Sequence, residues 1–540
     1  MIPLPAVRRA ARRAALAACA ASLVTLGAAR AGTRERPAEP VGAPAPTLVV
    51  MVTIDQFRAD YLERFGPQLT GGLARLVSGG AYFRQAYHDH AITETAPGHA
   101  TLLSGRFPRS TGIIANELGV DDPQSPLVGG AGVGASPRRF RGSGLADWLH
   151  DRDRRSRAVG ISAKARSAIL PLGRLRGEAY WYVGGSFVTS AYYADTLPDW
   201  VRRFNARDLP RRAAGTEWTL LLPPSSYPEP DSVPLEALGQ DVVFPHRTPR
   251  DSTQAALYVT RTPRMDEILL ALALEAVRAR SLGAGPQTDL LAVSLTTTDP
   301  IGHLYGPDSR EVHDQVLRLD RALGTFLDSL FRLRDPARVL VVLSSDHGVA
   351  PLPELSARRG VTPVPMRVEM SDVFYNARQK LRAAGGDPDA IDGFLGLVLM
   401  NRKVIEKVGL SPDSLRELVA HDARKTSGIL RADRPRDLTR AAASDSVARR
   451  WTHQLPSDTG VELVLTLAPY NIWWSDNVAS HQTPFGYDTH VPLIFYGPAF
   501  RAGRYDEFVR TVDLAPTLAA ALGLKPSEKL DGVVLRHALR

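Results

Sequence analysis

A chain of 540 residues, 44% of them hydrophobic, can bury a large core, and its length allows about three domains. Its one cysteine, Cys19, lies near the N-terminus, so a chain processed beyond it cannot form disulfides, thiolate metal sites or a cysteine-derived sulfatase nucleophile. The formal charge of +9 includes five arginines of an acid-free leader and is +4 without them (9 − 5), which favours small anionic substrates and does not imply a nucleic-acid partner.

Residues 1–31 have the pattern of a secretory signal peptide. Arginines 8, 9, 12 and 13 precede the apolar run Ala14–Ala29, and Ala29-Arg30-Ala31 forms a cleavage site. We therefore expect a mature chain that starts near Gly32 and is periplasmic or secreted. The proline-rich residues 32–46 then predict a flexible linker.

Two alternatives for the leader are less favoured. A transmembrane anchor needs about 20 apolar residues, more than the run from Ala14 offers, and we expect no transmembrane segment after cleavage. Lipid anchoring at Cys19 is suggested by Leu16-Ala-Ala-Cys19, although the apolar run continues beyond the cysteine. The paired arginines also permit twin-arginine export.

Continuous apolar runs rich in β-branched residues predict strands buried on both faces. They are Leu48–Ile54, Ala158–Ile161, Leu290–Leu295, Val339–Leu343 and Val491–Phe495. Amphipathic patterns at Met265–Arg280 and Val312–Phe331 predict helices between them, so the fold class is α/β with a mainly parallel sheet. Asp55, Asp299 and Asp346 follow three of these strands and should meet at one edge of the sheet.

Two long segments interrupt the alternation of strands and helices. Residues 177–260 are rich in aromatic and loop residues, which predicts a cap over the strand ends, and residues 352–475 form a second insertion of mixed character. A packing helix is expected at Val512–Leu522. We therefore predict one catalytic domain over residues 47–540 with both insertions inside it.

Three motifs place oxygen and nitrogen ligands at predicted sheet edges. They are Asp299-Pro-Ile-Gly-His303, Asp346-His347-Gly348 and Tyr487-Asp-Thr-His490. Each alone is typical of a surface turn, but together with Asp55 they indicate metal binding. Carboxylate and imidazole ligands without sulfur suit catalytic zinc, and manganese or another divalent ion also fits.

Thr95 lies just before a predicted helix start at Pro97 in the segment Ile92–Ala100. A hydroxyl there faces unpaired backbone amides that favour a phosphoryl group, so Thr95 is a candidate nucleophile. The alternative is a simple helix cap. Glu94 and His99 are expected to be structural.

Further along the chain, Asn116 lies in a loop, and Lys164 and Arg166 follow the strand at Ala158–Ile161. Without a function, Asn116 would be an asparagine in a turn, and Lys164 and Arg166 would belong to a solvent-exposed basic loop. The functional one is a set of hydrogen-bond donors for phosphoryl oxygens.

The order of these motifs resembles the alkaline phosphatase superfamily, in its branch of type I phosphodiesterases and nucleotide pyrophosphatases. The Lys-X-Arg pair is similar to that of PafA-like phosphatases with a threonine nucleophile. The resemblance implies an alkaline-phosphatase-like sandwich with cap insertions and two zinc ions. It assigns Asp299, His303 and His490 to one ion and Asp55, Asp346, His347 and the nucleophile Thr95 to the other, and it assigns Asn116, Lys164 and Arg166 to substrate binding.

The chain is thus expected to hydrolyse small phosphate monoesters through a phosphothreonine intermediate. A phosphodiesterase or nucleotide pyrophosphatase on the same scaffold would keep every metal ligand and is the main alternative. A non-catalytic phosphate-binding envelope protein is a remote one, since it predicts a lost ligand or nucleophile. A sulfatase or phosphonate hydrolase is a further alternative.

Overall fold

A computed structural model describes residues 45–540. The predicted signal peptide and nearly all of the predicted linker lie outside these residues. Strands are numbered in chain order: β1 Leu48–Ile54, β2 Ala81–Tyr87, β3 Leu127–Val128, β4 Ala158–Ser162, β5 Glu178–Val183, β6 Ser186–Ser190, β7 Glu217–Trp218, β8 His246–Arg247, β9 Asp289–Leu295, β10 Val339–Ser344, β11 Arg367–Val368, β12 Ile391–Phe394, β13 Leu397–Met400, β14 Ile429–Asp433, β15 Val461–Leu467, β16 Ile472–Trp473, β17 His490–Tyr496 and β18 Gly503–Arg510.

The helices are numbered in the same way: α1 Tyr61–Arg64, α2 Gly72–Gly79, α3 Thr95–Leu102, α4 Pro108–Thr111, α5 Leu145–Arg152, α6 Ala165–Ile169, α7 Asp199–Asn205, α8 Ser252–Tyr258, α9 Arg264–Ala279, α10 Thr298–Tyr305, α11 Arg310–Leu333, α12 Pro353–Arg358, α13 Met370–Ala383, α14 Arg402–Lys407, α15 Pro412–Lys425, α16 Pro435–Ala441, α17 Ser446–Gln454, α18 Gly486–Thr489 and α19 Leu514–Leu522. In residues 45–540, none of these helices is both long enough and apolar enough to cross a membrane.

A ten-stranded sheet in the order β18-β2-β17-β10-β1-β9-β4-β5-β6-β3 forms the centre of the fold. The five strands from β10 to β5 are mutually parallel, and β1 lies between β10 and β9. All seven residues of β1 are buried. The prediction of an α/β fold with a mainly parallel sheet is confirmed, and each of the five predicted strands is present.

Both faces of the sheet are covered, which explains the unbroken apolar runs. Val50 and Val52 of β1 face a core that includes residues of α9 and α11, whereas Val49 and Met51 face a second core that includes residues of α3, α5 and α19. Side chains of a strand alternate between its faces, so every position of β1 must be apolar. The helices predicted near residues 265–280, 312–331 and 512–522 are all found.

The predicted aromatic cap is partly sheet. Residues 178–190 form β5 and β6, which extend the central sheet. Tyr180 and Tyr182 pack into one core and Trp181 into the other. The aromatic residues in this part of the segment therefore cover the two faces of a strand, a role that composition alone does not distinguish from a cap.

The second insertion has its own small core. Its four-stranded antiparallel sheet, β12-β13-β15-β14, packs against α13 and α15. A two-stranded parallel ribbon of β11 and β16 lies beside it and ends at Trp473. This insertion thus supplies a second surface next to the strand ends of the central sheet.

Helix α3 is buried along its whole length and packs on the loop after β10. A Cβ atom at Gly98 would lie 2.2 Å from the carbonyl oxygen of Asp346, closer than any real contact. The backbones therefore approach each other at a distance that only glycine permits.

We expect Gly98→Ala to lower the free energy of unfolding by about 1–3 kcal/mol, because the added methyl group forces two backbones apart. Urea denaturation measures this loss. Gly66→Ala is the matched control, because a Cβ there meets nothing within 4 Å. Equal stability of the two variants would contradict this account of the helix packing.

Candidate active site

Three neighbouring strands bring three carboxylates to one edge of the sheet. Asp55 follows β1, Asp346 lies two residues beyond β10, and Asp299 lies in α10 just after β9. Because β10, β1 and β9 are adjacent and parallel, their carboxyl ends open on the same side. The predicted convergence of these aspartates is therefore present in the structure.

Two groups of side chains have the geometry of metal sites. The first ligand group is Asp55, Asp346 and His347, and the second ligand group is Asp299, His303 and His481. Within each group, one ligand atom per residue lies within 4.8 Å of the others. All three members of the first group are fully buried.

The histidines of both groups are held in the tautomer that a metal requires. The Nδ1 atoms of His347, His303 and His481 lie 2.9, 2.8 and 2.6 Å from the carbonyl oxygens of Gly348, Ala479 and Thr93. A carbonyl only accepts, so each Nδ1 must carry the proton and each Nε2 keeps its lone pair. Burial lowers the pKa values of His347 and His481, which favours these neutral rings. Burial also acts on His303, but the adjacent Asp299 carboxylate outweighs it and raises the pKa of that ring.

Unsatisfied buried atoms show that the first ligand group fits a cation. Oδ1 of Asp55 and Nε2 of His347 make no hydrogen bond and lie 3.5 Å apart. Leaving such atoms unpaired is costly, and a divalent ion would satisfy both. The donor set of carboxylate oxygens and imidazole nitrogens suits zinc or a similar ion.

The assignment of His490 to a metal is wrong in this structure. His490 begins β17, its Nε2 lies 2.7 Å from the carbonyl oxygen of Arg84, and its ring stacks on Tyr87. It lines a separate cleft with Arg58 and Tyr487. Its Nε2 must donate to that carbonyl and has no lone pair for a metal.

His481 takes the place that was assigned to His490. The motif that contains His490 helps to position the loop of His481. Within this motif, Asp488 accepts hydrogen bonds from the backbone amide and hydroxyl of Thr483. Two residues before Thr483, His481 stacks on His347 with a centroid distance of 3.8 Å. His481 lies in a loop with no adjacent strand or carboxylate motif, so no local sequence signal identified it.

Thr95 is the first residue of α3 and is almost fully buried at the base of a cavity of about 430 Å³. Asn116, Arg166, Asp299 and His303 also line this cavity. The predicted position at a helix start is confirmed. His99, one turn later in α3, lies 3.1 Å from Asp346 and connects this helix to the first ligand group.

Asn116 is oriented by its neighbours. Its Oδ1 accepts a hydrogen bond of 2.9 Å from the amide of Ala96, which leaves its Nδ2 as a donor. Its own amide donates to Glu94, and the other carboxylate oxygen of Glu94 accepts from Gln482. Burial and nearby Glu117 raise the pKa of Glu94 to about 7. Glu94 thus connects the Asn116 loop to the loop that carries His481.

The two predicted cations occupy different positions. Lys164 bridges the ligand groups, with Nζ 2.6 Å from Asp55 and 2.7 Å from Asp299. Burial alone would raise the pKa of Asp299, but the Lys164 ammonium and His303 hold it well below its usual range. Arg166 lies in α6 and lines the cavity, and its buried Nε has no hydrogen-bond partner.

The far wall of the cavity comes from the second insertion. Val368, Met370, Phe394, Leu395, Trp473 and Trp474 line it. Within residues 45–540, the lining includes no member of the 177–260 segment that was predicted as the cap. The insertion of mixed character, rather than the aromatic one, thus forms the surface that faces the ligand groups.

Comparison with known proteins identifies the family of the chain. The family model described as type I phosphodiesterase/nucleotide pyrophosphatase matches residues 49–445. Alkaline phosphatase PafA of Elizabethkingia meningoseptica is 30% identical over 89% of this chain and 92% of its own length. Alkaline phosphatase PhoK of a Sphingomonas species is 30% identical over 92% of both chains.

The crystal structure of wild-type PafA matches with a TM-score of 0.85 at 28% identity, covering 92% of this chain and 99% of that one. A PafA variant with one threonine, one asparagine, one lysine and one arginine replaced matches with a TM-score of 0.86 at 27% identity, with the same coverage.

We expect His481→Ala to weaken binding of a divalent ion such as zinc at the second ligand group by at least about 10–100-fold, the range seen even for partners of metal ligands. His490→Ala is the matched control and should bind zinc like the wild type, because its Nε2 faces a carbonyl. Zinc titration followed by elemental analysis after dialysis measures both. Loss of zinc from the His490 variant alone would reverse the assignment.

Proposed function

The chain belongs to the type I phosphodiesterase/nucleotide pyrophosphatase family, a family of hydrolases, and we propose that it is an alkaline phosphatase that hydrolyses phosphate monoesters. The proposal includes two zinc ions, one at each ligand group, and a phosphothreonine intermediate on Thr95. It also includes export from the cytoplasm, which rests on residues 1–31 alone.

The observation that carries the proposal is the presence of two cations, Lys164 and Arg166, beside the cavity that contains Thr95. A phosphate monoester carries nearly two negative charges at neutral pH, whereas a diester carries one. Two additional cations favour the more highly charged substrate, and the planar guanidinium of Arg166 can contact two oxygens.

Relatives support the same conclusion. PafA and PhoK are both named alkaline phosphatases. In the PafA variant, the replaced threonine and asparagine are 21 positions apart and the replaced lysine and arginine are two apart. Thr95 and Asn116 have the same separation in this chain, as do Lys164 and Arg166.

In the proposed reaction, Thr95 Oγ attacks phosphorus in line, and the bond from phosphorus to the leaving alcohol breaks. Asn116 Nδ2 and Arg166 donate hydrogen bonds to the phosphoryl oxygens that do not react. Lys164 exchanges a carboxylate contact for a phosphoryl oxygen. Water then hydrolyses the phosphothreonine from the side that the alcohol vacated, which releases phosphate and restores Thr95.

Divalent ions at the two ligand groups would act as Lewis acids, the first favouring ionisation of the Thr95 hydroxyl and the second stabilising charge on the leaving oxygen. Asp55 and Asp346 are buried, and backbone carbonyls hold Nδ1 of three histidines, so Nε2 is the ring atom left for a metal. Lys164 balances the charge of the carboxylates that belong to different groups.

Replacing Thr95 by alanine should lower kcat for an aryl phosphate by at least about a thousandfold, because the variant lacks the attacking oxygen. Thr95→Ser is the matched control, since it keeps a hydroxyl. Mass spectrometry of acid-quenched samples should find a phosphoryl group on residue 95 in the wild type and the serine variant. Near-normal turnover by the alanine variant would exclude Thr95 as the nucleophile.

The Lys164→Ala/Arg166→Ala variant should lose about a hundredfold or more in kcat/KM for an aryl monoester, because two charge-assisted hydrogen bonds are removed. The matching diester should lose much less. Arg174→Ala removes an exposed arginine nearby and controls for net charge. A wild-type preference for the diester that the double variant does not change would instead indicate a phosphodiesterase.

A further inference from the structure

An exposed tryptophan lies at the mouth of the catalytic cavity. Trp474 is 58% exposed, whereas each of the other six tryptophans is at most 8% exposed. Trp474 lines the cavity together with Trp473, Phe394 and Leu395, and these four residues are called the tryptophan wall below. A large ring left open to water at this position offers a surface for a ligand.

The tryptophan wall is connected directly to the second ligand group. The amide of Trp474 donates to the carbonyl oxygen of Val368, which ties it to the ribbon of β11 and β16. The chain then runs from Trp474 to His481, and on the way the amide of Val478 donates to the carbonyl oxygen of His303. Arg367 holds the same stretch through the carbonyl oxygens of Asn477 and Val478.

This arrangement places the wall on the side of the leaving alcohol. In an in-line displacement the leaving oxygen lies opposite the attacking oxygen of Thr95. Arg166 and Asn116 surround the phosphoryl group, so the alcohol must extend into the remaining part of the cavity. The tryptophan wall is among the lining residues that remain for the alcohol to contact.

The charge of the cavity mouth restricts the alcohol further. Glu117 and Glu369 are exposed carboxylates that line the same cavity. They disfavour an alcohol that carries a second phosphate or another anion near the wall. A neutral planar ring is not repelled by these carboxylates, and it gains contact area on the indole of Trp474.

We infer that Trp474 is a specificity-determining residue that stacks on a neutral aromatic ring of the alcohol, so that the preferred substrates are phosphate monoesters such as nucleoside 5′-monophosphates. This inference rests on the proposed monoesterase function. It assigns the second insertion a role in choosing the substrate, apart from the chemistry at Thr95.

The test compares kcat/KM for adenosine 5′-monophosphate with kcat/KM for methyl β-D-ribofuranoside 5-phosphate. Both substrates release the same kind of primary alcohol, so they differ mainly in the aromatic ring. Trp474→Ala should lower kcat/KM for the adenosine ester by about tenfold and leave the methyl riboside unchanged, in line with the usual strength of base stacking on an aromatic side chain.

Two further variants serve as controls. Trp474→Phe keeps an aromatic face and should retain most of the preference for the adenosine ester. Tyr375→Ala removes another exposed aromatic residue of the same insertion that does not line the cavity, and it should change neither substrate. Because Trp474 is exposed, circular dichroism should show a folded alanine variant.

An unchanged ratio of the two kcat/KM values in Trp474→Ala, or an equal loss for both substrates, would overturn the inference while monoester hydrolysis stands. A different result would show that the proposed function itself is wrong. In that case the wild-type enzyme would hydrolyse neither monoester, or would prefer an aryl diester to the aryl monoester.

Discussion

The burial of three carboxylates at the ends of three adjacent parallel strands is the constraint on which the rest of the structure depends. Asp55, Asp299 and Asp346 are brought together by the order of β10, β1 and β9 and are removed from water. Like charges in a buried space require compensation. Lys164 supplies part of it, and the two ligand groups are built to receive the rest as divalent cations.

The histidines show how widely separated segments cooperate in this compensation. Three backbone carbonyls, from Thr93, Gly348 and Ala479, each fix one imidazole in the metal-binding tautomer. Thr93 lies two residues before Thr95, and Ala479 lies just after the second insertion. Movement of any one segment would therefore disturb the ligands and the position of Thr95 together.

Two parts of the chain form the site, the elements around the central sheet and the second insertion. The loops and helices that follow the central strands, together with α3, provide the charged groups and Thr95. The second insertion provides the tryptophan wall, which is partly exposed and lines the same cavity. The two surfaces can thus vary independently in sequence, because different parts of the chain form them.

The sequence by itself determined the buried strands, the helix at Thr95 and the aspartates at the strand ends, because apolar periodicity and helix starts are local signals. Only the tertiary structure decided that His481 rather than His490 joins Asp299 and His303, that Lys164 bridges the two ligand groups, and that residues from the second insertion line the cavity. Those outcomes depend on loops that meet across hundreds of residues, where side-chain direction follows from packing and hydrogen bonding and leaves no periodic pattern in the sequence.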